Sequence, residues 1–300
     1  MTHEQPIGVV GLGAMGAAYS QRLLESGLAV IGYDPSETAR VNHQTIGGTA
    51  VTSAEEVAER CTTIVSALPS EKAFEKICHA LMARPSSQGW VIDTNTLPKA
   101  VKATAKDALK PHGWTLLDCS VSGNPAMVLD DSYSFFFSGE GRTAQPVQDV
   151  IRRLASRAFD LGSFGKATTI KLIINHLLMV HNAAAAEAMT MGMKAGLEPD
   201  LIYELITASG GSSRMFEVRG KWMASGDYPK NNAYELLLDK DGVAISELAR
   251  RLRHPAPMFA AAYQAHMAGL AQGWGDYDAS SMAAVYEAMS GMQARVPGTK

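Results

Sequence analysis

The sequence is poor in cysteine, and this argues against two common kinds of stabilising centre. Its 300 residues include only three cysteines, Cys61, Cys78 and Cys119, which are odd in number and far apart. Disulfide scaffolds carry several paired cysteines, and zinc sites carry cysteines or histidines at short, regular spacings. We therefore expect no disulfide framework, no metal site, and a protein of the reducing cytoplasm.

The sequence also lacks an excess of positive charge. Lysine and arginine number 27 against 30 aspartate and glutamate residues, which gives a formal net charge of −3 at pH 7. Domains that bind nucleic acids usually present a basic surface. A nucleic acid is therefore not an expected partner.

Long apolar runs are missing as well. The most hydrophobic segment, 170–180, contains Asn175 and His176 and is followed by His181 and Asn182. A membrane-spanning helix needs about 20 mostly apolar residues, and the polar start of the chain does not resemble a signal peptide. The segment predicts a buried helix, and we expect no membrane partner.

The first half of the sequence alternates short apolar runs with helical patterns. Six runs predict strands: 7–10, 29–33, 61–68, 90–93, 114–118 and 133–138. Short strands separated by helical stretches are typical of βαβ units. The fold class that we predict is α/β, with an N-terminal doubly wound parallel sheet of the Rossmann type.

The pattern changes to helices alone after Gly165. Residues 167–195 contain no proline and include a run of four alanines, which favours one long helix, and further helical segments follow as far as residue 292. The glycine- and serine-rich stretch 209–214 predicts a linker between helices. We therefore predict a domain boundary after residue 165 and an all-α domain at 166–300.

A glycine-rich turn follows the first predicted strand. Gly11-Leu12-Gly13-Ala14-Met15-Gly16 has the form GxGxxG. In dinucleotide-binding domains the first glycine permits a tight turn, the second lets the backbone approach the pyrophosphate, and the third allows close helix–strand packing. The helix N-terminus then offers N–H groups to the phosphates. The turn predicts a dinucleotide site, while packing of the helix alone is the alternative explanation.

Asp34 follows the second predicted strand, about 20 residues beyond the turn. An acid at this place binds the ribose hydroxyls of NAD and would repel the additional phosphate of NADP, and no arginine follows before Arg40. NAD is therefore the predicted cofactor, with NADP left open. The segment 34–37 is also typical of a helix start, so capping of the next helix is a second interpretation of Asp34.

These motifs resemble those of the β-hydroxyacid dehydrogenases, the family of 3-hydroxyisobutyrate, tartronate semialdehyde, L-threonate and 6-phosphogluconate dehydrogenases. Gly-Leu-Gly-Ala-Met-Gly is the usual form of the turn in that family, and Leu68-Pro69 also matches its pattern. The segment 93–98 is similar to the family's Asp-x-Ser-Thr-x-x-Pro, although one residue shorter before the proline. The resemblance implies cofactor contacts for Leu68, Pro69 and Thr96, the last near the nicotinamide.

The segment 118–124 resembles the family's substrate motif, Asp-x-Pro-Val-Ser-Gly-Gly. The match implies that Ser122 and Gly123 hold the substrate carboxylate. Ser120 replaces the proline, and Asn124, a further expected substrate contact, replaces the second glycine. Asp131-Ser132-Tyr133 stands where the family has Gly-Thr-Leu. Because Asn124 and Tyr133 depart from the pattern, we expect a substrate pocket that differs from the usual one.

The segment 165–175 resembles the catalytic motif Gly-x-Gly-x-x-x-Lys-x-x-x-Asn, with Ala167 in place of the second glycine. The match implies that Lys171 is the general acid and base and that Asn175 binds substrate. The two residues are four apart and share one helix face, to which Asn182 returns about three turns after Lys171. From the helix pattern alone, these polar groups predict a structural network. The resemblance favours catalysis.

Lys240 begins a segment similar to the family's Lys-Asp-Leu, which implies a cofactor contact. The resemblance as a whole implies an NAD(P)-dependent oxidoreductase that moves a hydride between the cofactor and the hydroxyl carbon of a small, 3-hydroxyisobutyrate-like hydroxy acid. It implies an NAD(P)-binding domain at 1–165 and a helical domain at 166–300 for substrate binding and assembly into a homodimer or homotetramer. Two alternatives stay open: an imine reductase on the same fold, and a non-catalytic nucleotide-binding scaffold.

Overall fold

A computed structural model describes residues 5–83, 88–231, 234 and 241–295. The chain forms two compact units that divide between Lys171 and Leu172. The domain boundary predicted after residue 165 stays a prediction.

The first unit contains an eight-stranded sheet with the spatial order β3-β2-β1-β4-β5-β6-β7-β8. Its strands are β1 (Ile7–Val10), β2 (Val30–Tyr33), β3 (Thr49–Ala50), β4 (Thr63–Ser66), β5 (Gly89–Asp93), β6 (Trp114–Ser122), β7 (Ser134–Ser138) and β8 (Ala158–Asp160). All neighbouring strands pair in parallel except β6 and β7, which are antiparallel. The predicted doubly wound α/β fold is confirmed.

Helices connect these strands and cover both faces of the sheet. They are α1 (Ala14–Glu25), α2 (Glu37–Thr45), α3 (Ala54–Arg60), α4 (Glu71–Met82), α5 (Lys99–Leu109), α6 (Pro125–Leu129) and α7 (Gln145–Leu154). Val9 and Leu117 belong to one apolar cluster, whereas their neighbours Val10 and Leu116 belong to another. Because successive side chains of a strand point to opposite faces, one strand supplies both cores. Strands buried on both faces form continuous apolar runs, which made them recognisable in the sequence.

The order of the strands reverses between β1 and β4. Ligands of doubly wound sheets bind outside the carboxyl ends of the strands at such a reversal. Val10 at the end of β1 pairs with Ser66 at the end of β4. The glycine-rich turn 11–16 and the segment 68–69 therefore start side by side.

The sheet differs from the prediction at its edges. Strands β3 and β8 were not predicted, because two and three residues are too short to show a periodic pattern. Strand β6 extends to Ser122 rather than ending at Asp118, and its second half forms the antiparallel pairing with β7. Its two serines interrupt the apolar run, so the sequence pattern concealed this extension.

The second unit is helical. Its helices are α8 (Lys166–Lys194), which begins in the first unit, then α9 (Pro199–Thr207), α10 (Arg214–Ser225), α11 (Val243–Leu252), α12 (Pro257–Ala271) and α13 (Met282–Met289). Helix α10 was not predicted: the stretch 209–214 is a loop only as far as Ser213, whose Oγ caps the helix by accepting from the Phe216 N–H at 3.1 Å. Along the described ranges, no helix combines the length and apolar character needed to cross a membrane.

Candidate functional site

The turn between β1 and α1 needs glycine at two of its three glycine positions for packing. Gly11 has a φ of +85°, and a Cβ there would lie 2.2 Å from the Ala67 carbonyl oxygen. A Cβ on Gly16 would lie 1.8 Å from the Gly11 carbonyl oxygen. A Cβ on Gly13, in contrast, would have no neighbour within 4 Å. The open space beside Gly13 is therefore not required by the fold and is available to a ligand.

The N-terminus of α1 faces the same space. Gly13 is its N-cap residue, so no side chain caps the helix, and Ala14 is exposed while Met15 is half-buried. The first N–H groups of a helix lack partners within the helix and carry a partial positive charge. The turn therefore has the features that the pyrophosphate of a dinucleotide needs, and the cofactor contacts predicted for residues 11–16 stay a prediction.

The carboxylate of Asp34 is fixed by two backbone groups. The Leu12 N–H donates to Oδ2 at 2.8 Å, and the Ser36 N–H donates to Oδ1 at 2.8 Å. Ser36 is the cap of α2, since its Oγ accepts from the Ala39 N–H at 3.3 Å. The second interpretation of Asp34, as the helix cap, is therefore wrong. Arg40 donates to the main-chain carbonyl of Asp34 at 2.7 Å and so lies beside the acid.

The loops that follow β4 and β5 are joined by Asn95. The Leu68 N–H donates to Oδ1 of Asn95, whose Nδ2 donates to Oγ of Ser66 at 2.9 Å. Asn95 is buried, and Thr96 beside it is half-buried. The structure thus brings the predicted cofactor segment 68–69 next to the loop that carries Thr96.

A buried ion cluster lies behind these loops. Nζ of Lys102 on α5 is 3.0 Å from Oδ2 of Asp93 and 3.1 Å from Oδ1 of Asp118, and all three side chains are inaccessible to solvent. Burial raises the pKa of Asp93, although Lys102 opposes part of that shift. Burial also acts against the charge of Asp118, yet Lys102 and hydrogen bonds from Thr168 hold its pKa below the ordinary value. Removing one partner of such a cluster typically costs about 3–5 kcal/mol, so the cluster firmly fixes the end of β5 to the middle of β6.

The sequence analysis missed the role of Lys102, although a signal for it exists. Lys102 lies on one helical stripe with Ala105 and Leu109, at spacings of three and four residues. Leu109 is fully buried. A lysine on an apolar stripe needs a buried partner, and the acids Asp93 and Asp118 in the two neighbouring apolar runs were the available ones.

The predicted substrate segment lies at the end of β6. Ser122 is half-buried and Gly123 is exposed. A Cβ on Gly123 would lie 2.6 Å from Cβ of Tyr133, so this position has no room for a side chain. Asn124 is the N-cap of α6, where its Oδ1 accepts from the Met127 N–H at 3.0 Å. The asparagine that replaces the family's glycine therefore caps a helix with its Oδ1. Its Nδ2 is the group that a substrate contact would use.

Tyr133 was expected to alter the substrate pocket, but its side chain does not line one. Its side chain is fully buried in the core, where the hydroxyl donates to the Leu154 carbonyl at 2.8 Å. Asp131, at the position where the family has glycine, has a φ of +59°. Its carboxylate forms an ion pair with Arg22 at 2.8 Å and accepts from the Ser156 N–H at 3.1 Å. This stretch therefore serves the fold of the first unit.

Lys171 and Asn175 lie one turn apart on α8. Lys171 is half-buried, and Asn175 is buried, with its Nδ2 donating to Oδ2 of Asp241 at 2.6 Å. Asn182 is fully buried and its Oδ1 accepts from Nη1 of Arg219 at 3.4 Å. The two asparagines thus have different partners in the second unit, and Asp241 holds the amide that the sequence predicts to bind substrate.

Two further predictions concern Lys240 and the cysteines. Lys240 lies outside the described residues. The cysteines Cys61, Cys78 and Cys119 are buried, and no disulfide joins any two of them. Among the side chains that the structure describes, no group of three histidine, cysteine, aspartate or glutamate residues is placed to hold a metal ion.

Comparison with known proteins identifies both units. Residues 6–162 match the family model of the NAD binding domain of 6-phosphogluconate dehydrogenase. Residues 165–286 match that described as NAD-binding of NADP-dependent 3-hydroxyisobutyrate dehydrogenase.

Relatives of full length agree with these matches. The chain is 31% identical to L-threonate dehydrogenase of Cupriavidus necator, over 93% of this chain and 95% of the relative. It is 26% identical to human mitochondrial 3-hydroxyisobutyrate dehydrogenase, over 93% of this chain and 86% of the relative. The crystal structure of a 3-hydroxyisobutyrate dehydrogenase from Salmonella typhimurium is similar with a TM-score of 0.81 and 28% identity, covering 93% of this chain and 99% of that one. The chain therefore belongs to the β-hydroxyacid dehydrogenase family of NAD(P)-dependent oxidoreductases.

Proposed function

We propose that the protein oxidises the hydroxyl group of a small hydroxy acid of the L-threonate type, with NAD as cofactor and Lys171 as general base. The observation that carries the proposal is the placement of Lys171 and Asn175 on one face of α8. Asn175 is buried and held by Asp241, so its amide has a fixed orientation. Full-length similarity to an L-threonate dehydrogenase supports this choice of substrate class.

The proposed reaction separates the two hydrogens of the substrate alcohol. When bound, the nicotinamide ring accepts the hydride from the hydroxyl carbon. The amine of Lys171 takes the hydroxyl proton, and the C–O bond becomes a carbonyl. In the reverse direction the Lys171 ammonium returns that proton to the forming alkoxide. Such proton transfer by a positioned side chain is worth about 10²- to 10⁴-fold in rate.

Other residues hold the substrate and the cofactor in this proposal. Ser122 and the backbone of Gly123 bind the substrate carboxylate, with Nδ2 of Asn124 as a further contact, and Asn175 orients the reacting hydroxyl. The turn 11–16 takes the pyrophosphate.

The remaining cofactor contacts come from three other segments. Leu68, Pro69 and Thr96 border the nicotinamide half, and Lys240 also contacts the cofactor. Asp34 binds the adenosine ribose and thereby favours NAD over NADP.

We place the enzyme in the cytoplasm as a homodimer or homotetramer. Three buried cysteines with no disulfide between them suit a reducing compartment. Ile173 and Leu177, one turn apart on α8, are each 48% exposed in the single chain, and Leu201 and Leu205 on α9 are 43% and 58% exposed. Apolar side chains in such rows are suited to contact between subunits.

The test is an assay of NAD⁺ and NADP⁺ reduction with L-threonate, D-glycerate, 3-hydroxyisobutyrate and L-serine. Lys171→Ala should lose about 10²- to 10⁴-fold in kcat and keep its affinity for NAD⁺. Lys166→Ala removes an exposed lysine five positions earlier on the same helix and should act like the wild type. Near-normal turnover in Lys171→Ala would refute the assignment. Reduction of a cyclic imine, without turnover of any of the acids, would favour the imine reductase alternative instead.

A further inference from the structure

Strand β6 and the first turn of α8 are joined by a buried hydrogen bond. Oγ of Ser120 donates to the Ala167 carbonyl oxygen at 2.8 Å. Ser120 is 2% exposed and Ala167 is fully buried. Both are positions at which the chain departs from the family pattern, in which proline and glycine stand. Since proline and glycine have no hydroxyl group, this bond depends on the serine that replaces the proline.

A second connection lies beside the first, between Asp118, two residues before Ser120, and Thr168, one residue after Ala167. Oδ2 of Asp118 accepts from the Thr168 N–H at 2.9 Å, and Oδ1 accepts from the Thr168 hydroxyl at 2.5 Å. Oγ of Ser138 bridges the two elements, accepting from the Ala167 N–H at 3.2 Å and donating to Oδ2 of Asp118 at 3.1 Å. The start of α8 is therefore held to the sheet by side chains rather than by apolar packing alone.

The spacing of these contacts links them to the proposed reaction. Asp118, Ser120 and Ser122 alternate along β6 and so share one face of the strand. Ala167 precedes Lys171 by four residues, so its carbonyl is the one that accepts the Lys171 N–H in a regular α-helix. Ser120 therefore bonds to the backbone of the helical turn that carries Lys171. Ser120 itself lies two residues before Ser122, the serine expected to bind the substrate carboxylate.

We infer that Ser120 is a positioning residue, which sets the distance between Ser122 and Lys171 by fixing the Ala167 carbonyl. The inference rests on the proposed role of Lys171. Asp118 and Thr168 prevent the helix from leaving the sheet, whereas Ser120 determines the rotation and depth of its first turn. Loss of the Ser120 hydroxyl therefore leaves the fold and the cofactor site intact and displaces the base from its substrate.

The test compares Ser120→Ala with Thr169→Ala. Thr169 donates its hydroxyl to the Gly165 carbonyl at 2.7 Å, so the control removes a similar bond from the same turn without touching β6. Ser120→Ala should lower kcat about tenfold, within the roughly 100-fold that a misplacement of about 1 Å can cost, and leave the Kd for NAD⁺ unchanged. It should also change the pH profile of kcat/KM, which Thr169→Ala should not. Ser120→Cys is the second variant, to be used if Ser120→Ala folds poorly. Its side chain is of similar size but has only a weak donor, so it should show a loss of kcat of the same kind.

A double-mutant cycle separates positioning from general damage. In a Lys171→Ala background, Ser120→Ala should lower the residual single-turnover rate less than twofold, because the group that it positions is absent. The inference is overturned if Ser120→Ala and Thr169→Ala have the same kcat and pH profile, or if the tenfold loss persists without Lys171. Wild-type turnover in Lys171→Ala alone would instead overturn the proposed function.

Discussion

The backbone N–H of Leu12, inside the glycine-rich turn, donates a 2.8 Å hydrogen bond to the carboxylate of Asp34 at the end of the neighbouring strand. Two parts of the proposed NAD site, 22 residues apart in sequence, therefore hold each other in place before any cofactor binds. Because the Ser36 N–H occupies the other oxygen, the acid cannot turn away from the ribose position without losing a bond. If Asp34 binds the ribose as proposed, this fixed carboxylate is the group expected to favour NAD over NADP.

Replacement of Asp34 by serine should weaken the preference for NAD. The change removes the acceptor for the ribose hydroxyls and the negative charge that would repel the phosphate of NADP, while Arg40 remains beside the site. Hydrogen bonds to a charged group contribute about 1.5–3 kcal/mol, so the KM for NAD⁺ should rise about 10- to 100-fold. The KM for NADP⁺ should fall in the same assay.

The control for this prediction is Glu37→Gln. It removes a negative charge from the exposed first turn of α2 without breaking either bond of Asp34. Its ratio of NAD⁺ to NADP⁺ efficiency should stay within twofold of the wild type. An unchanged ratio in Asp34→Ser would show that another group selects the cofactor.

Gly13→Ala and Gly16→Ala should separate cofactor binding from folding. A Cβ on Gly13 meets nothing within 4 Å, so the fold should tolerate it, with a change in melting temperature of a few degrees at most. The added methyl group would occupy the space proposed for the pyrophosphate, and titration calorimetry should show at least tenfold weaker binding of NADH. On Gly16 the same atom would collide with the Gly11 carbonyl, which should cost about 1–3 kcal/mol or more of stability. Tight NADH binding by Gly13→Ala would contradict the pyrophosphate assignment.

The parts of the candidate site that could be predicted from the sequence are those formed by residues adjacent in the chain. The turn 11–16 is local, and its strand and helix carry patterns of their own. The cluster of Lys102, Asp93 and Asp118 depends on the pairing of β5 with β6 beside α5, and no local pattern in the sequence predicts that pairing. The bond between Asn175 and Asp241 spans 66 residues and belongs to the same class.

Asp131 shows the same limitation in the backbone. Its sequence neighbours do not reveal that its backbone adopts the left-handed conformation, with a φ of +59°. Aspartate tolerates this conformation better than most residues, and Arg22 and the Ser156 N–H engage its carboxylate. The substitution of the family's glycine therefore exchanges backbone freedom for side-chain bonds.

Asp131→Ala should be less stable than Asp131→Gly. Both variants lose the bonds to Arg22 and Ser156, but only alanine retains the steric cost of the left-handed backbone, about 1–2 kcal/mol. In a unit of this size, 1 kcal/mol corresponds to about 2–4 °C in melting temperature. Scanning calorimetry should therefore order the proteins as wild type, then glycine, then alanine. An alanine variant as stable as the glycine variant would show that the backbone strain is negligible.

His266 should make the second unit sensitive to mild acid. Its ring is 1% exposed, stands edge-on to Tyr234 with the centroids 5.4 Å apart, and has no hydrogen-bond partner among the described residues. Burial lowers the pKa of His266 from 6.5 to about 4. Between these values the unfolded chain binds a proton that the folded chain does not. The contribution of His266 to the free energy of unfolding is therefore fully present above about pH 6.5. It falls by about 3 kcal/mol as the pH drops towards 4.

Replacement of His266 by leucine should remove this sensitivity. The difference in urea midpoint between pH 7.5 and pH 5 should shrink in His266→Leu, because leucine binds no proton in either state. His79→Gln, on the exposed side of α4, should keep the wild-type difference. Since leucine also loses the edge contact with Tyr234, the variant can be weaker at pH 7.5, and the change between the two pH values is the decisive quantity. An undiminished change in His266→Leu would assign the acid sensitivity to other groups.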